Sequence, residues 1–125
     1  MSPKKRTRVL YVEDHDDTRD MVALLLRDLT CDVTAVESCA EALAAAKGAK
    51  FNLYILDNCL PDGLGTTLCR EIRTFDSSSP IILCSGFDDG PHLETAGDAG
   101  ANILLAKPFD VNDLIDAIDK VTRKK

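Results

Sequence analysis

The sequence lacks the residues from which several kinds of site are built. It contains no tryptophan, two histidines and five cysteines, and no two cysteines form a C-x-x-C pair. An odd cysteine count without that spacing argues against a zinc site and a disulfide framework. His15 and His92 lie far apart, so both are interpreted as surface residues. No apolar stretch is long enough for a membrane span or a signal peptide, so we expect a cytoplasmic protein without a membrane partner.

Basic residues are scarce in the body of the chain. Of the 15 lysines and arginines, seven lie in residues 1–8 and 123–125, whereas all 21 acidic residues lie between those ends. Residues 9–122 therefore carry eight basic against 21 acidic side chains, a net charge of −13. Such a body repels nucleic acid, so we expect no direct nucleic-acid partner. The basic termini are interpreted as frayed, solubilising ends.

Short apolar runs and helix-like segments alternate strictly along the sequence. The runs are uninterrupted, which is typical of parallel strands buried on both faces, and they lie at 8–13, 32–36, 52–57, 81–85 and 102–106. Helical spacing and capping signals, such as Ser38 three residues before Glu41, predict helices at 16–29, 40–47, 66–75, 88–100 and 110–123. The pattern predicts a single α/β domain over 1–125, with a core of about 8–122, basic termini 1–7 and 123–125, and a doubly wound five-stranded parallel sheet.

Four of the predicted strands run into residues that can handle a phosphoryl group. The first runs into Glu13-Asp14, the third ends in Asp57, the fourth ends in Ser85 and the fifth runs into Lys107. The carboxyl ends of parallel strands meet at one edge of the sheet, where open α/β sheets bind ligands. Three clustered carboxylates repel one another and an incoming phosphate, and a divalent cation with oxygen ligands relieves both conflicts. The residues therefore predict a Mg²⁺-assisted attack of Asp57 on phosphorus, with Lys107 and Ser85 stabilising the transition state.

Over nearly its whole length the chain resembles the response-regulator receiver domain of two-component signalling. The resemblance rests on the strand-end residues above, on Leu60-Pro61-Asp62-Gly63-Leu64-Gly65 and on Lys107-Pro108-Phe109. It implies a flavodoxin-like, three-layer α/β/α fold with strand order 2-1-3-4-5 and five helices. It also implies that Asp57 is the phosphoacceptor for a histidine kinase or a histidine phosphotransfer protein, and that the backbone carbonyl of Cys59 joins Glu13, Asp14 and Asp57 as a Mg²⁺ ligand.

The resemblance further implies a surface that changes on phosphorylation and binds a downstream protein, whose identity stays open. This surface comprises the fourth predicted helix, the fifth predicted strand and the fifth predicted helix. The expected switch residues are Gly86 and Phe87, which follow Ser85, together with Leu104 and Pro108. Many receivers carry an aromatic residue at the position of Leu104, so here we expect the backbone after Ser85 to carry more of the change. The peptide bond before Pro108 is typically cis in such domains.

Several other functions stay open or are disfavoured by particular residues. The chain ends just after the last predicted helix, which favours a stand-alone receiver that is not a conventional enzyme, but a fragment of a hybrid histidine kinase or a transcription factor is the alternative. A haloacid-dehalogenase-like phosphatase needs a second aspartate two residues after the nucleophile, where this chain has Cys59. A non-phosphorylated interaction module usually lacks one of the acids or the lysine, and this chain retains them all.

Overall fold

The computed structural model describes residues 7–86 and 97–122. The strands are β1 (Thr7–Val12), β2 (Cys31–Val36), β3 (Leu53–Asp57), β4 (Cys59–Leu60), β5 (Gly63–Leu64), β6 (Ile81–Ser85) and β7 (Ile103–Ala106). The helices are α1 (Asp16–Asp28), α2 (Cys39–Gly48), α3 (Gly65–Arg73) and a C-terminal helix (Val111–Thr122). The fourth predicted helix lies largely outside the described residues, which include only its helical end at 97–99. Phe87 and His92 also lie outside them.

Five strands form one parallel sheet in the order β2-β1-β3-β6-β7. Strands β4 and β5 form a separate hairpin, so β6 and β7 are the fourth and fifth predicted strands and the predicted order is confirmed. Burial on both faces is confirmed for the inner strands β1, β3 and β6. The prediction of burial on both faces is wrong for the edge strands β2 and β7. They are largely half-buried because each has a neighbouring strand on one side only.

The two faces of the sheet carry separate hydrophobic cores. Tyr54 and Leu56 of β3 belong to the core that includes buried residues of α2 and α3, here called the α2/α3 core. Leu53 and Ile55 belong to the opposite core, which includes buried residues of α1 and the C-terminal helix. Because side chains alternate along a strand, one apolar run supplies both cores. The three-layer arrangement is therefore confirmed.

The loop after Asp57 contains the β4–β5 hairpin, with its turn at 61–62 between the two short strands. Asp62, at the hairpin tip, accepts the backbone N–H groups of Cys39 at 2.8 Å and Ala40 at 3.0 Å. These two hydrogen bonds hold the pKa of Asp62 below its ordinary value. The predicted cap is also present, since Ser38 Oγ accepts the N–H of Glu41 at 3.2 Å. The start of α2 is therefore fixed both by its own cap and by the hairpin beside Asp57.

Arg73 forms hydrogen bonds at the edge of the sheet opposite Asp57 through its guanidinium group. Its Nε and Nη2 donate to the carbonyl of Gly100 at 3.0 and 2.8 Å, and Nη1 donates to the carbonyl of Ser79 at 2.7 Å. Nη2 also donates to the side-chain oxygen of Asn102 at 3.1 Å, and that oxygen accepts the N–H of Ile81 at 2.9 Å. Arg73 thus connects the end of α3 to the segments that enter β6 and β7, a role that the sequence analysis missed.

We expect Arg73→Ala to lower the free energy of unfolding by about 2–4 kcal/mol, because it removes charge-assisted hydrogen bonds and leaves their carbonyls without donors. Urea unfolding of the purified chain measures this change. The matched control is Arg70→Ala, which removes an exposed arginine from the same helix and should change stability by less than about 0.5 kcal/mol. Equal effects of the two substitutions would contradict the stabilising role of the Arg73 hydrogen bonds.

Candidate functional site

The strand-end residues singled out in the sequence meet at the carboxyl edge of the sheet. Asp57 and Ser85 end the neighbouring strands β3 and β6, whereas Glu13 and Lys107 directly follow β1 and β7. Backbone hydrogen bonds extend the ladder to these positions, since Glu13 N–H donates to the Val36 carbonyl at 3.0 Å and Lys107 N–H donates to the Ser85 carbonyl at 2.8 Å. The sheet register therefore fixes the backbone positions from which these side chains extend.

The ammonium group of Lys107 bridges two buried carboxylates. Its Nζ lies 2.7 Å from Asp57 Oδ1 and 3.3 Å from Glu13 Oε1. The side chains of Asp57 and Glu13 are 5% and 3% exposed, against 29% for Lys107. One cation thus lies between two buried carboxylates. Asp14, which directly follows Glu13 in the sequence, adds an exposed carboxylate. By formal count, three carboxyl groups therefore lie around one ammonium group.

Burial and neighbouring charges shift the pKa values of both members of the closer ion pair, Asp57 and Lys107. Burial raises the pKa of Asp57 above its ordinary value, Lys107 opposes that rise, and the negative charges of Glu13 and Asp14 add to it. Burial acts against the charge of Lys107, but Asp57 and Glu13 outweigh it, so the pKa of Lys107 is raised. Lys107 therefore stays protonated, whereas ionised Asp57 is destabilised by its surroundings and favours a further cation.

We expect Asp57→Asn to stabilise the fold at neutral pH, because it removes this unfavourable charge. A folded-state pKa above the ordinary 3.8 means that ionisation of Asp57 costs stability as pH rises, in full above the raised pKa. The advantage of the variant should therefore fade on acidification towards pH 3.8. Thermal melts of both proteins across pH measure the difference, and a variant less stable than the parent at pH 7 would contradict this electrostatic account.

The part of the carboxyl edge around Glu13, Asp14 and Asp57, here called the acidic edge, also contains a cluster of potential metal ligands. One ligand atom each from Glu13, Asp14 and His15 lies within 4.8 Å of the others, with Glu13 buried and the other two exposed. His15 was expected at the surface, which is confirmed, but the sequence analysis did not place it in this cluster. Asp57 lies outside this 4.8 Å group. Cys59 lies in β4 with an exposed side chain and pairs with Leu64.

Ser85 and the expected switch residues occupy the neighbouring part of the edge. Ser85 is buried, and its Oγ donates to the Gly86 carbonyl at 3.3 Å. Gly86 is half-buried, and Leu104 is a half-buried member of the α2/α3 core. The Lys107–Pro108 peptide is cis, as the resemblance implied.

Two further positions beside Asp57, Asn58 and Gly65, were not predicted from the sequence as part of the site. Asn58 is buried, its N–H donates to the Cys84 carbonyl at 2.8 Å, and its side-chain Oδ1 has no donor among the described residues. At Gly65, the last residue of the segment Leu60-Pro61-Asp62-Gly63-Leu64-Gly65, two backbones approach closely. A Cβ added to Gly65 would lie 2.5 Å from the Asp57 carbonyl oxygen, so any side chain there would displace the backbone of Asp57.

Cys84, the buried cysteine next to Ser85, is not suited to act as a nucleophile. Cys84 is buried between Leu83 and Ser85, as expected for a small hydrophobic residue, and burial raises the pKa of its thiol to about 12. A thiol needs a lowered pKa to react at neutral pH. The Cys84 thiol is therefore a packing group rather than a reactive one.

Comparison with known proteins gives the family of the chain. The profile of the response regulator receiver domain matches residues 9–119. The chain belongs to this family. It is 32% identical over 120 residues to the uncharacterized transcriptional regulatory protein YkoG of Bacillus subtilis, covering 96% of this chain and 53% of that protein. It is 33% identical over 118 residues to the sensory transduction protein RegX3 of Mycobacterium tuberculosis, covering 94% and 52%.

A solved structure gives the same result for the fold. The putative response regulator of Chloroflexus aurantiacus superposes with a TM-score of 0.86 at 30% identity, covering 94% of this chain and 98% of that one. The receiver domain's flavodoxin-like fold is therefore confirmed. The chain spans about half the length of the two curated relatives named above.

Family membership establishes the general role of this receiver domain. It is a signalling domain of two-component response regulators, which receive phosphate from histidine kinases, rather than a conventional enzyme. Receiver domains generally bind Mg²⁺ at an acidic pocket, and the acidic edge described above is of that kind. None of the helices in the described residues combines the length and apolar character needed to span a membrane.

Proposed function

We propose that this receiver is a phosphoacceptor in which Asp57 takes a phosphoryl group from a histidine kinase or a histidine phosphotransfer protein and thereby switches a partner-binding surface. The observation that carries the proposal is the 2.7 Å contact between Lys107 Nζ and Asp57 Oδ1 at the carboxyl edge of the sheet. A buried carboxylate at a strand end, next to a fixed cation, is suited to attack a phosphorus atom and to hold the product.

The donor set of the acidic edge fits Mg²⁺. The residues that would hold the ion are Glu13, Asp14 and Asp57 through carboxylate oxygens and Cys59 through its backbone carbonyl, and oxygen is the ligand that Mg²⁺ prefers. The raised pKa of Asp57 also favours an added cation. When bound, Mg²⁺ neutralises negative charge on the carboxylates and on the phosphoryl oxygens.

The residues of the chain then perform the transfer. A carboxylate oxygen of Asp57 forms a bond to phosphorus while the bond from phosphorus to the donor's imidazole nitrogen breaks, and that nitrogen keeps the electron pair. The ammonium of Lys107 stabilises charge on a phosphoryl oxygen, and the Ser85 hydroxyl donates a hydrogen bond to another. Once the phosphoryl group engages these two donors, Ser85 moves towards it and displaces the backbone that follows.

The binding of Mg²⁺ should depend more on one of the two adjacent acids, Glu13 and Asp14, than on the other. Glu13 is buried and already contacts Lys107 Nζ and the His15 N–H, whereas Asp14 is exposed and available to a metal ion. We therefore expect Asp14→Ala to weaken Mg²⁺ binding more than Glu13→Ala, and we expect millimolar Mg²⁺ to raise the melting temperature of the parent chain. Melts over a Mg²⁺ titration measure both effects. A melt of the parent chain that does not respond to Mg²⁺ would argue against a site at this edge.

The direct test of the proposed function is phosphorylation by a small donor. Incubation with acetyl phosphate and Mg²⁺ should add one phosphoryl group to the chain, as measured by intact mass. The same incubation with a chelator of divalent cations should leave the mass unchanged. No phosphorylated species in the presence of Mg²⁺, or the same amount with the chelator, would contradict the proposal.

The downstream partner is proposed to bind the surface that includes β7 and the C-terminal helix. A shallow groove of about 450 Å³ lies between them, and its lining includes Leu104, Pro108, Asp113 and Asp116. This position supports an output surface adjacent to Lys107, and the excess of acidic residues makes nucleic acid an unsuitable direct partner.

The domain is proposed to form a single receiver over 1–125. The alternative, a receiver that forms part of a longer regulator, is favoured by one finding. The chain matches about half of YkoG and RegX3, and YkoG is named as a transcriptional regulatory protein. In that case the same phosphorylation at Asp57 would act on a further domain of the longer protein.

A further inference from the structure

Asn58 is a buried polar residue that the proposed reaction does not use. Only 1% of the residue is exposed, and its Oδ1 has no hydrogen-bond donor among the described residues. A buried acceptor without a donor is destabilising, and such groups are uncommon in folded proteins. The directly preceding residue is Asp57, so this unfavourable group lies beside the proposed acceptor.

The sheet register places Asn58 next to Ser85. Asp57 pairs with Cys84 in the parallel ladder, and the Asn58 N–H continues the ladder by donating to the Cys84 carbonyl at 2.8 Å. Continuing the register by one residue makes Asn58, which directly follows β3, the neighbour of Ser85, the last residue of β6. Neighbouring strands lie about 4.8 Å apart.

The two side chains also share a face of the sheet. Leu56 and Leu83, two residues earlier in each chain segment, both belong to the α2/α3 core. Side chains two apart on a strand point to the same face, so Asn58 and Ser85 follow on that face. The surroundings of Gly65 agree with this placement, because a Cβ added there would lie 2.9 Å from Asn58 Cα and 2.7 Å from Leu83 Cδ1.

Among the described residues, the hydroxyl of Ser85 donates only a long hydrogen bond. Its bond to the Gly86 carbonyl is 3.3 Å long, whereas hydroxyl donors usually lie about 2.7–2.8 Å from an oxygen acceptor. A hydroxyl has one proton to donate and can rotate to a better acceptor. A weakly held donor therefore lies beside a buried acceptor that lacks one.

We propose that Asn58 is a positioning residue that competes with the phosphoryl group for the proton of the Ser85 hydroxyl; this inference rests on the proposed function. In the unphosphorylated protein, rotation of the Ser85 side chain offers the proton to Asn58 Oδ1. When Ser85 donates to a phosphoryl oxygen instead, Oδ1 loses that donor. Asn58 therefore favours the unphosphorylated state and limits how tightly the site holds a phosphoryl group.

The probe for this competition is fluoroberyllate, which mimics the bound phosphoryl group, in the presence of Mg²⁺. We expect Asn58→Leu and Asn58→Ala each to bind it roughly two- to tenfold more tightly than the parent chain, the equivalent of one neutral hydrogen bond. In the Ser85→Ala background, the same two substitutions should leave the affinity unchanged, because the contested proton is gone. Such dependence on Ser85 would not arise from a purely structural role.

The controls separate this effect from repacking and from failure of the proposed function. Leucine is larger than asparagine and alanine is smaller, so a gain shared by both variants is not a packing effect, and either variant suffices if the other does not fold. Thr66→Val is the matched control, since it alters a buried hydroxyl in the first turn of α3 and should bind like the parent. Unchanged or weaker binding, or a gain that persists without Ser85, would overturn the inference. A parent chain that binds no fluoroberyllate would contradict the proposed function as well.

Discussion

Asp57→Asn is expected to abolish phosphorylation by acetyl phosphate, with no phosphorylated species in the intact mass under conditions that fully modify the parent chain. The reason is chemical, because a neutral amide lacks the anionic oxygen that attacks phosphorus. The surroundings of the residue should change little, since asparagine has nearly the same shape and the variant is expected to be the more stable protein at neutral pH. Loss of modification would therefore not reflect unfolding.

Asp119→Asn is the matched control for this substitution. Asp119 is an exposed acid on the C-terminal helix, and its replacement should leave the phosphorylated fraction unchanged. Phosphorylation of Asp57→Asn at the level of the parent chain would show that another residue is the acceptor. Glu13 is the first residue to examine in that case, because its buried carboxylate also contacts Lys107.

Lys107→Ala is expected to slow phosphorylation by acetyl phosphate about 100-fold, the usual effect of removing one fixed donor from a transition-state site. Lys107 is the cation 2.7 Å from Asp57 Oδ1, and the backbone bond from its N–H to the Ser85 carbonyl holds it at the site. Its loss should also raise the pKa of Asp57 further, because the ion pair is what opposes the effect of burial. The rate should therefore depend more steeply on pH below neutrality in the variant.

The time course of intact mass at saturating Mg²⁺ measures this rate. Lys120→Ala provides the comparison, because Lys120 is an exposed lysine on the C-terminal helix. We expect the Lys120→Ala rate to match that of the parent chain. If Lys107→Ala were phosphorylated as fast as Lys120→Ala, the ion pair with Asp57 would have no role in the transfer.

Much of the fold follows from local patterns in the sequence. Uninterrupted apolar runs predicted the strands, and the boundaries of β3 and β6 agree with the structure to within one residue. The strand order came from the resemblance, because alternation alone does not specify it. The β4–β5 hairpin was not predicted, since each of its strands has only two residues and its position depends on the contact between Asp62 and the start of α2.

The candidate site was predictable only in part. Asp57 and Lys107 were identified because parallel strands bring their ends together, and their 2.7 Å contact agrees with that expectation. Asn58 and Gly65 carried no comparable signal. The importance of Gly65 depends on the approach of the α3 backbone to Asp57, and that of Asn58 depends on a neighbour in β6, so both belong to tertiary structure. The resemblance favoured Asp14 over Glu13 as the direct metal ligand, and the structure adds that Asp14 is exposed whereas Glu13 is buried.

The central claim, that Asp57 itself carries the phosphoryl group, is tested most directly by chemical trapping of the acyl phosphate. Borohydride reduces an aspartyl phosphate to homoserine, so the chain is first treated with acetyl phosphate and Mg²⁺, then reduced, digested and sequenced by mass spectrometry. We predict homoserine at position 57 and nowhere else, and only in samples that contained Mg²⁺. Homoserine at a different aspartate, with Asp57 unmodified, would contradict the account.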